Sequence, residues 1–191
     1  MLYFIGAGSG DPELLTIKGK RIIDNSDVII YTGSLVNNEL FTDIKTDAKL
    51  INSASLSLDD VLEIIINSSE RGLNIARVHT GDPAMYGAIR EQMVALDKAG
   101  IEYEVIPGVS SVFAGAAVLK REFTLPGVTQ TLILTRMAGR TPVPEAESIE
   151  NLAKIQSSMA IFLSIAGIEE LANKLMTSYP KDTPAAVVYK A

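Results

Sequence analysis

The sequence predicts an α/β protein with mainly parallel sheets, because short apolar segments alternate with segments of helical periodicity along the chain. The clearest example is a strand predicted at 73–79, which leads through Gly81 into a helix predicted at 84–99. A Gly turn between the carboxyl end of a strand and a helix is also where open α/β sheets bind ligands. Gly-Asp-Pro occurs at such a turn twice, at 10–12 and at 81–83.

The first half of the chain gives regular strand and helix signals. In chain order we predict a strand at 2–6, a helix at 14–25, a strand at 28–31, a short helix at 37–41 and a strand at 48–51. Ser57 and Asp60 then form a capping box, which starts a helix that ends at Gly72. After the strand at 73–79, Asp82 is a good N-cap and Pro83 suits the first turn of the helix at 84–99.

The second half continues the alternation after one irregular stretch. We predict a strand at 103–106, a helix at 109–118, a strand at 131–135, a helix at 145–156, a strand at 159–164, a helix at 168–178 and a strand at 185–189. The stretch 120–130 contains Pro126 and Gly127 and has no clear periodicity, which indicates a domain boundary. The predicted domains are therefore an N-terminal α/β domain, 1–125, and a C-terminal α/β domain, 126–191.

Composition narrows the classes of function. The chain has 191 residues, of which 47% are apolar and 21% charged, as in ordinary globular proteins. It lacks an apolar run of the ~20 residues that cross a bilayer, and its start does not resemble a signal peptide. The absence of cysteine fits a reducing cytoplasm, and the net charge of −6 argues against general nucleic-acid binding. We therefore predict a cytoplasmic protein with neither a membrane nor a nucleic acid as partner.

Two common kinds of site do not fit the sequence. The loop G-A-G-S-G-D at 6–11 lacks the third Gly of the dinucleotide-binding fingerprint, since Asp11 stands there, and the second strand ends in Tyr31-Thr32 instead of an acidic residue. His79 is the only histidine, so no His-cluster metal site is predicted. Its place on a strand that we predict to be buried favours a structural role. Patterns of this kind predict ligand-binding turns but no particular reaction.

Longer motifs carry more information. They are Y-F-I-G-A-G-S-G-D-P-E-L-L-T-I-K-G at the start, then V-H-T-G-D-P-A-M-Y-G, V-I-P-G-V-S-S and T-R-M-A-G-R-T-P-V-P-E. In this order and spacing they resemble the tetrapyrrole (corrin/porphyrin) methylases over essentially the whole chain. Within that family the last three motifs together resemble the branch that methylates C11 of precorrin-4 or cobalt-precorrin-4 in cobalamin biosynthesis.

The resemblance implies two α/β domains that hold S-adenosylmethionine in the cleft between them, with S-adenosylhomocysteine as the product. The implied cofactor contacts are Ser9, Thr80, Gly81, Asp82, Met85, Ser110, Ser111, Leu163, Ser164 and Ala191. Asp82 either accepts hydrogen bonds from the cofactor or caps its helix, or does both. Asp11 is the candidate general base, with capping of the first helix as its alternative role.

The substrate implied by the family is a tetrapyrrole with several carboxylate arms, which favours cations at the mouth of the site. We assign these contacts to Arg136 and Arg140, whose alternative role is ordinary surface charge. A homodimer is also expected, and no metal site is assigned to the protein. Whether the substrate carries cobalt stays open.

The family pattern also implies further strands and a helix beyond the strand at 185–189. We therefore expect the second domain to be incomplete in this chain, with that strand at an unpaired edge. Three alternatives stay open: a tetrapyrrole methylase acting at another ring position, a methylase of another target such as ribosomal RNA, and an inactive fragment that binds S-adenosylmethionine. Methyl transfer measured against equilibrium cofactor binding separates these functions.

Overall fold

The computed structural model describes residues 1–33 and 35–189. It confirms the α/β class with parallel sheets, and it divides the chain into two compact units, Met1–Gly115 and Ala116–Val188. This division lies within a helix, whereas the sequence places the domain boundary at 125/126, which stays a prediction.

The first unit contains a five-stranded parallel sheet in the order β3-β2-β4-β1-β5. Its strands are β1 (Leu2–Gly6), β2 (Val28–Tyr31), β3 (Lys49–Asn52), β4 (Ile75–His79) and β5 (Tyr103–Ile106). Its helices are α1 (Ile17–Asp24), α2 (Leu58–Glu70), α3 (Arg90–Ala99) and α4 (Ser111–Leu119), the last of which contains the division between the units. Short 3-10 segments lie at Pro12–Leu14 and Asn38–Phe41. The capping box of α2 is confirmed.

The two faces of this sheet carry different helices. Side chains alternate along each strand, so Ile5 and Ile29 pack in one cluster with Ile23 of α1. Phe4 and Ile30 pack in the other cluster with residues of α2 and α3. The helix after β1 and the helix after β4 therefore cover opposite faces, although β1 and β4 are neighbours. Such a switch point opens a crevice at the carboxyl ends of the two strands.

The predicted helix at 84–99 begins later than expected. It starts at Arg90, and residues 82–88, called the site turn below, form an irregular turn. Tyr86 and Ala88 have φ values of 55° and 50°, which no α-helix contains. A Cβ on Gly87 would lie 2.2 Å from the carbonyl oxygen of Pro83, so the chain curls back on itself there. The capping signals at Asp82 and Pro83 therefore mark the start of a turn, and the helix start predicted from them is wrong.

Two other predicted helices begin with a separate 3-10 turn. The helix predicted at 14–25 is α1, which starts at Ile17 with Thr16 as its N-cap. The helix predicted at 145–156 consists of a 3-10 segment, Glu145–Glu147, and α5 (Ile149–Ala153), capped by Ser148. In both cases a side-chain cap inside the apolar pattern restarts the helix.

The second unit pairs two parallel strands, β6 (Leu132–Arg136) and β7 (Ser158–Phe162). It also contains α5, a 3-10 segment at Ile165–Gly167 and α6 (Ile168–Leu175). The strand predicted at 185–189 is wrong, since the described part of the chain has no strand after β7. Its apolar residues are not buried, with Val187 64% and Tyr189 83% exposed, and neither sheet of the described residues includes this stretch. No helix among the described residues is long and apolar enough to cross a membrane.

Candidate functional site

The turns after β1, β4 and β5 meet at the carboxyl edge of the first sheet. Gly81 donates its N–H to the carbonyl of Gly8 at 2.7 Å, and Gly8 donates to the carbonyl of Gly81 at 3.2 Å. A Cβ on Gly108 would lie 2.2 Å from the Gly81 oxygen, and a Cβ on Gly6 would lie 2.6 Å from Gly108. Only glycine permits this approach of backbones at Gly6 and Gly108.

Asp82 fixes the geometry of these turns through both carboxylate oxygens. Oδ1 accepts a hydrogen bond from Ala84 N at 2.8 Å, and Oδ2 accepts one from Gly108 N at 3.0 Å. The carboxylate therefore ties the turn after β4 to the turn after β5. Each oxygen has more than one lone pair, so Asp82 keeps acceptor capacity for a ligand.

Gly81 leaves open space beside the turn. Its φ of 60° is left-handed, and a Cβ built on it would approach only Ser110 Cα, at 4.0 Å. Gly81 thus differs from Gly6 and Gly108, where backbone fills the space. Thr80 and Met85, close to Gly81 along the chain, are half-buried. The predicted contacts Thr80, Gly81, Asp82 and Met85 thus share one turn, which faces the start of α4.

Ser110 and Ser111 begin the helix after β5. The Ser110 carbonyl accepts from Phe113 N at 3.0 Å, and its hydroxyl lies 3.5 Å from Val112 N, so Ser110 shapes the first turn of α4. Ser111 is exposed. The structure therefore brings these two residues to the edge that carries Gly81 and Asp82.

The Gly-rich loop after β1 contributes Ser9 and Asp11. The Ser9 hydroxyl oxygen is buried without a hydrogen-bond partner among the described residues. Asp11 is exposed and accepts from Glu13 N at 2.9 Å, which caps the 3-10 segment Pro12–Leu14. The alternative role expected for Asp11, the cap of the first helix, is therefore found at this 3-10 segment, while Thr16 caps α1.

A buried polar cluster behind the site was missed from the sequence. Arg77 and His79 are only 6% and 3% exposed, on the central strand β4. The Arg77 guanidinium donates to Gln92 Oε1 at 3.3 Å, the Ile30 carbonyl at 3.3 Å and the Ser53 hydroxyl at 2.9 Å. The signal for this cluster was present, since I-A-R-V-H carries two titratable residues in an otherwise apolar strand.

Burial changes the titration of both residues. Desolvation lowers the pKa of Arg77 to about 10, so it stays charged at neutral pH. Desolvation and the nearby Arg77 charge lower the pKa of His79 to about 3, against the opposing effect of a hydrogen bond with the Gly87 backbone. The His79 ring is therefore neutral, and its Nε2 has no partner among the described residues. It is structural in position, as expected, but half of its hydrogen-bonding capacity is unused.

In the second unit, Arg136 is engaged with its own loop. It donates from Nη1 to the carbonyls of Met137 and Thr141, both at 3.0 Å, and from Nη2 to the carbonyl of Pro142 at 3.2 Å. Arg140 at the tip of this loop is exposed, and the described residues offer it neither a hydrogen bond nor an ion pair. Of the two predicted substrate contacts, Arg140 therefore has the freer guanidinium.

The loop after β7 carries the remaining described contacts. Ser164 is 7% exposed; its hydroxyl accepts from Met137 N at 2.9 Å and donates to the Phe162 carbonyl at 2.7 Å. Leu163 is 80% exposed and has a φ of 53°. Ser164 thus links the turns after β6 and β7, while Leu163 projects outward. Ala191 lies outside the described residues. Across residues 1–33 and 35–189 there is no group of acidic or histidine side chains that could hold a metal ion.

Known proteins are similar to this chain in sequence and in fold, and they show which family it belongs to. The sequence matches the tetrapyrrole (corrin/porphyrin) methylases over residues 1–191. The chain belongs to this family. It is 52% identical over 188 residues to the cobalt-precorrin-4 C(11)-methyltransferase of Methanocaldococcus jannaschii, a match that covers 98% of this chain and 73% of that protein.

Two further tetrapyrrole methylases show the same relationship. The precorrin-4 C(11)-methyltransferase of Pseudomonas aeruginosa is 46% identical over 190 residues, covering 100% of this chain and 76% of that protein. The X-ray structure of a cobalt precorrin-4 methyltransferase, a cobalamin biosynthetic enzyme, superposes with a TM-score of 0.90 at 45% identity, over 93% of this chain and 74% of that one. The family resemblance inferred from the motifs is therefore confirmed.

Proposed function

We propose that this protein is an S-adenosylmethionine-dependent methyltransferase that methylates C11 of cobalt-precorrin-4 or precorrin-4 in cobalamin biosynthesis. Support comes from relatives of both names, which match nearly the whole chain. The single structural observation that carries the proposal is the Gly8–Gly81 bridge at the switch point between β1 and β4. This bridge holds Gly81 beside an open space, where a bound cofactor can approach the backbone.

In this proposal the first unit holds the cofactor. Gly81 lets the ligand approach the backbone, Asp82 accepts from it with spare lone pairs, and Thr80, Met85, Ser110 and Ser111 surround it. The orphaned Ser9 hydroxyl would gain a partner there, which would offset the cost of burying it unpaired. Leu163, Ser164 and Ala191 stay proposed cofactor contacts.

The substrate is proposed to bind through its carboxylate arms. Arg140 offers a solvated guanidinium that can bind a carboxylate with two parallel hydrogen bonds. Arg136 holds the loop of 137–142 in shape and keeps part of its guanidinium for a second carboxylate. Substrate affinity should therefore depend on both arginines and should fall as salt concentration rises.

Methyl transfer requires mainly that the reacting atoms be aligned. S-adenosylmethionine supplies an electrophilic methyl group, so holding it in line with a nucleophilic ring carbon provides much of the acceleration. The rigid turns tied by Asp82 serve this purpose. Asp11 is exposed at the end of the Gly-rich loop and is proposed to accept the proton when one leaves the substrate.

The test is an assay of the purified chain with S-adenosylmethionine and either cobalt-loaded or metal-free precorrin-4. We expect one methyl group to appear at C11, located by isotope-labelled NMR. Methylation of another ring carbon would point to a different tetrapyrrole methylase. Binding of S-adenosylhomocysteine without any transfer would identify a binding fragment. The comparison of the two substrates decides whether cobalt is required.

The setting of the protein is part of the same proposal. We propose a homodimer that works in the cytoplasm on a small molecule. The net charge of −6 supports a substrate other than nucleic acid. Light scattering on the purified chain measures the oligomeric state, and a mass of one chain would contradict the dimer.

A further inference from the structure

The site turn, residues 82–88, has a backbone shape that needs support from outside. Tyr86 and Ala88 both have left-handed φ values, 55° and 50°, which non-glycine residues adopt only when surrounding structure imposes them. Between them, Gly87 packs so closely on Pro83 that no side chain fits. Residues held in such conformations cluster at ligand sites, where the strain belongs to the mechanism.

Two side chains hydrogen-bond the end of this turn: His79 of β4, and Gln92 of α3, which Arg77 of β4 contacts in turn. The Gly87 backbone hydrogen-bonds the ring of His79, and since Nε2 has no partner, the bond uses Nδ1. The second connection runs through Gln92 on α3. Its Oε1 accepts from Arg77 Nε at 3.3 Å, and its Nε2 donates to the Ala88 carbonyl at 3.1 Å. The strained segment is therefore held at two consecutive residues.

Placing the Arg77 charge at this buried position lowers the stability of the fold. All of its hydrogen-bond partners within the described residues are neutral, and desolvation alone lowers its pKa. A buried charge without a counter-ion costs free energy that an apolar residue at the same place would not. The guanidinium does, however, fix the Gln92 amide in one orientation, with the oxygen toward Arg77 and the Nε2–H toward Ala88.

We propose that Gln92, oriented by Arg77, and His79 are positioning residues that hold the site turn in the shape that binds the cofactor. This inference rests on the proposed function, because it assigns the turn to the S-adenosylmethionine site. The turn carries Asp82 and Met85 at its beginning, and the hydrogen bonds to Gly87 and Ala88 fix its end. Without them the strained residues relax and the geometry around Gly81 changes.

The decisive variant is Gln92→Glu. A carboxylate gives Arg77 its missing counter-ion, so the melting temperature should stay equal or rise. It cannot donate to the Ala88 carbonyl, so the site turn loses its tie. We expect the Kd for S-adenosylhomocysteine, measured by calorimetry, to rise about tenfold. Amide hydrogen exchange should speed up in 82–88 and stay unchanged in α2.

Ser53→Ala is the matched control. It removes another neutral partner of Arg77, which binds Nη1 at 2.9 Å, whereas Gln92 binds Nε. We expect a lower melting temperature with unchanged cofactor affinity. A second variant, Gln92→Glu with Ala88→Gly, should recover part of the lost affinity, because glycine adopts the left-handed φ without cost.

The outcomes separate the inference from the function on which it rests. If the wild-type chain does not bind S-adenosylhomocysteine, the cofactor site and the positioning role are both wrong. If it binds and Gln92→Glu binds equally well, the proposed function survives and the positioning role is wrong. Loss of affinity in proportion to loss of stability across Ser53→Ala and Gln92→Glu would reduce the cluster to a purely structural one.

Discussion

Oδ2 of Asp82 accepts a hydrogen bond from Gly108 N at 3.0 Å and so joins the turns after two strands that are not neighbours in the sheet. β1 lies between them, and its Gly6 leaves room for the contact because it has no side chain. One carboxylate therefore joins the turn after β4 to the turn after β5.

Replacing Asp82 by Asn tests this tie. Asn keeps an acceptor for one amide and turns an NH₂ group toward the other, which leaves an N–H unpaired. We expect a loss of about 1–2 kcal/mol in the free energy of unfolding and a rise of about tenfold in the Kd for S-adenosylhomocysteine. Urea unfolding and calorimetry measure the two effects.

Asp60→Asn is the control for that substitution. Asp60 closes the capping box of α2, so its loss lowers stability at a place remote from the turns. Cofactor affinity should not change. An Asp82→Asn variant that behaves like Asp60→Asn would remove Asp82 from the site and leave it only a turn-forming role.

A Val at position 81 tests the open space beside the turn. Gly81→Val places a branched side chain where the described protein atoms leave a gap, with Ser110 Cα at 4.0 Å from the new Cβ. We expect a folded protein that no longer binds S-adenosylmethionine or S-adenosylhomocysteine. Strain from the left-handed φ should cost about 1–2 kcal/mol of stability.

Gly100→Val matches that strain without touching the site. Gly100 ends α3 with a φ of 67°, and a Cβ added to it would meet no described heavy atom within 4 Å. The variant should lose similar stability and keep its cofactor affinity. Equal affinity in both variants would exclude the Gly81 turn as the cofactor site.

The sequence predicted the first sheet and the Gly-Asp-Pro turns well for one physical reason. Parallel strands buried on both sides are continuous apolar runs, so β1 and β2 were located to the residue. The Gly-Asp-Pro turns were visible because Gly and Asp have specific backbone roles. These signals depend on a few neighbours along the chain, which is what a sequence shows.

Contacts between distant residues were beyond the sequence. Capping signals at Asp82 predicted a helix there, but tertiary ties from His79 and Gln92 impose left-handed conformations at Tyr86 and Ala88 instead. In the same way the apolar residues 185–189 favoured a strand, yet neither sheet of the described residues includes them. In both places the surrounding structure, and not the intrinsic propensity of the residues, determines the conformation of the segment.

His79 should make stability depend on pH in a specific window. Its pKa is about 3 in the folded state and 6.5 when unperturbed, so below pH 6.5 the unfolded chain binds a proton that the folded chain refuses. The contribution of neutral His79 to the free energy of unfolding is therefore fully present above pH 6.5 and is lost as the pH falls toward 3. At pH 5 the loss should be about 2 kcal/mol relative to pH 7.

His79→Asn isolates this contribution, since its amide can still donate to the Gly87 backbone but does not titrate. Urea unfolding at pH 7 and pH 5 should show a flatter dependence for the variant. The lowered pKa values of Asp27, Asp43 and Asp60 act at more acidic pH, so they do not obscure the comparison. If both proteins lost the same free energy of unfolding between pH 7 and pH 5, His79 would bind its proton equally well in the folded and in the unfolded chain.

Substitutions of Arg136 and Arg140 should differ in their effects on stability and on tetrapyrrole binding. Arg140→Ala removes an exposed guanidinium that the described protein does not use, so stability should stay unchanged. Tetrapyrrole affinity should fall about tenfold or more and become less sensitive to salt, because a charge-assisted hydrogen bond is lost. Arg136→Lys keeps the charge but cannot span the carbonyls of Met137, Thr141 and Pro142, so the loop loses its shape.

We therefore expect Arg136→Lys to weaken tetrapyrrole binding and also lower the melting temperature, while both variants bind S-adenosylhomocysteine normally. Lys181→Ala, which removes an exposed cation from the same unit, controls for net charge and should change neither affinity. Titration of a metal-free and a cobalt-loaded substrate at two salt concentrations gives all of these values. If Arg140→Ala lost cofactor binding and kept tetrapyrrole binding, the two sites would be assigned the wrong way round.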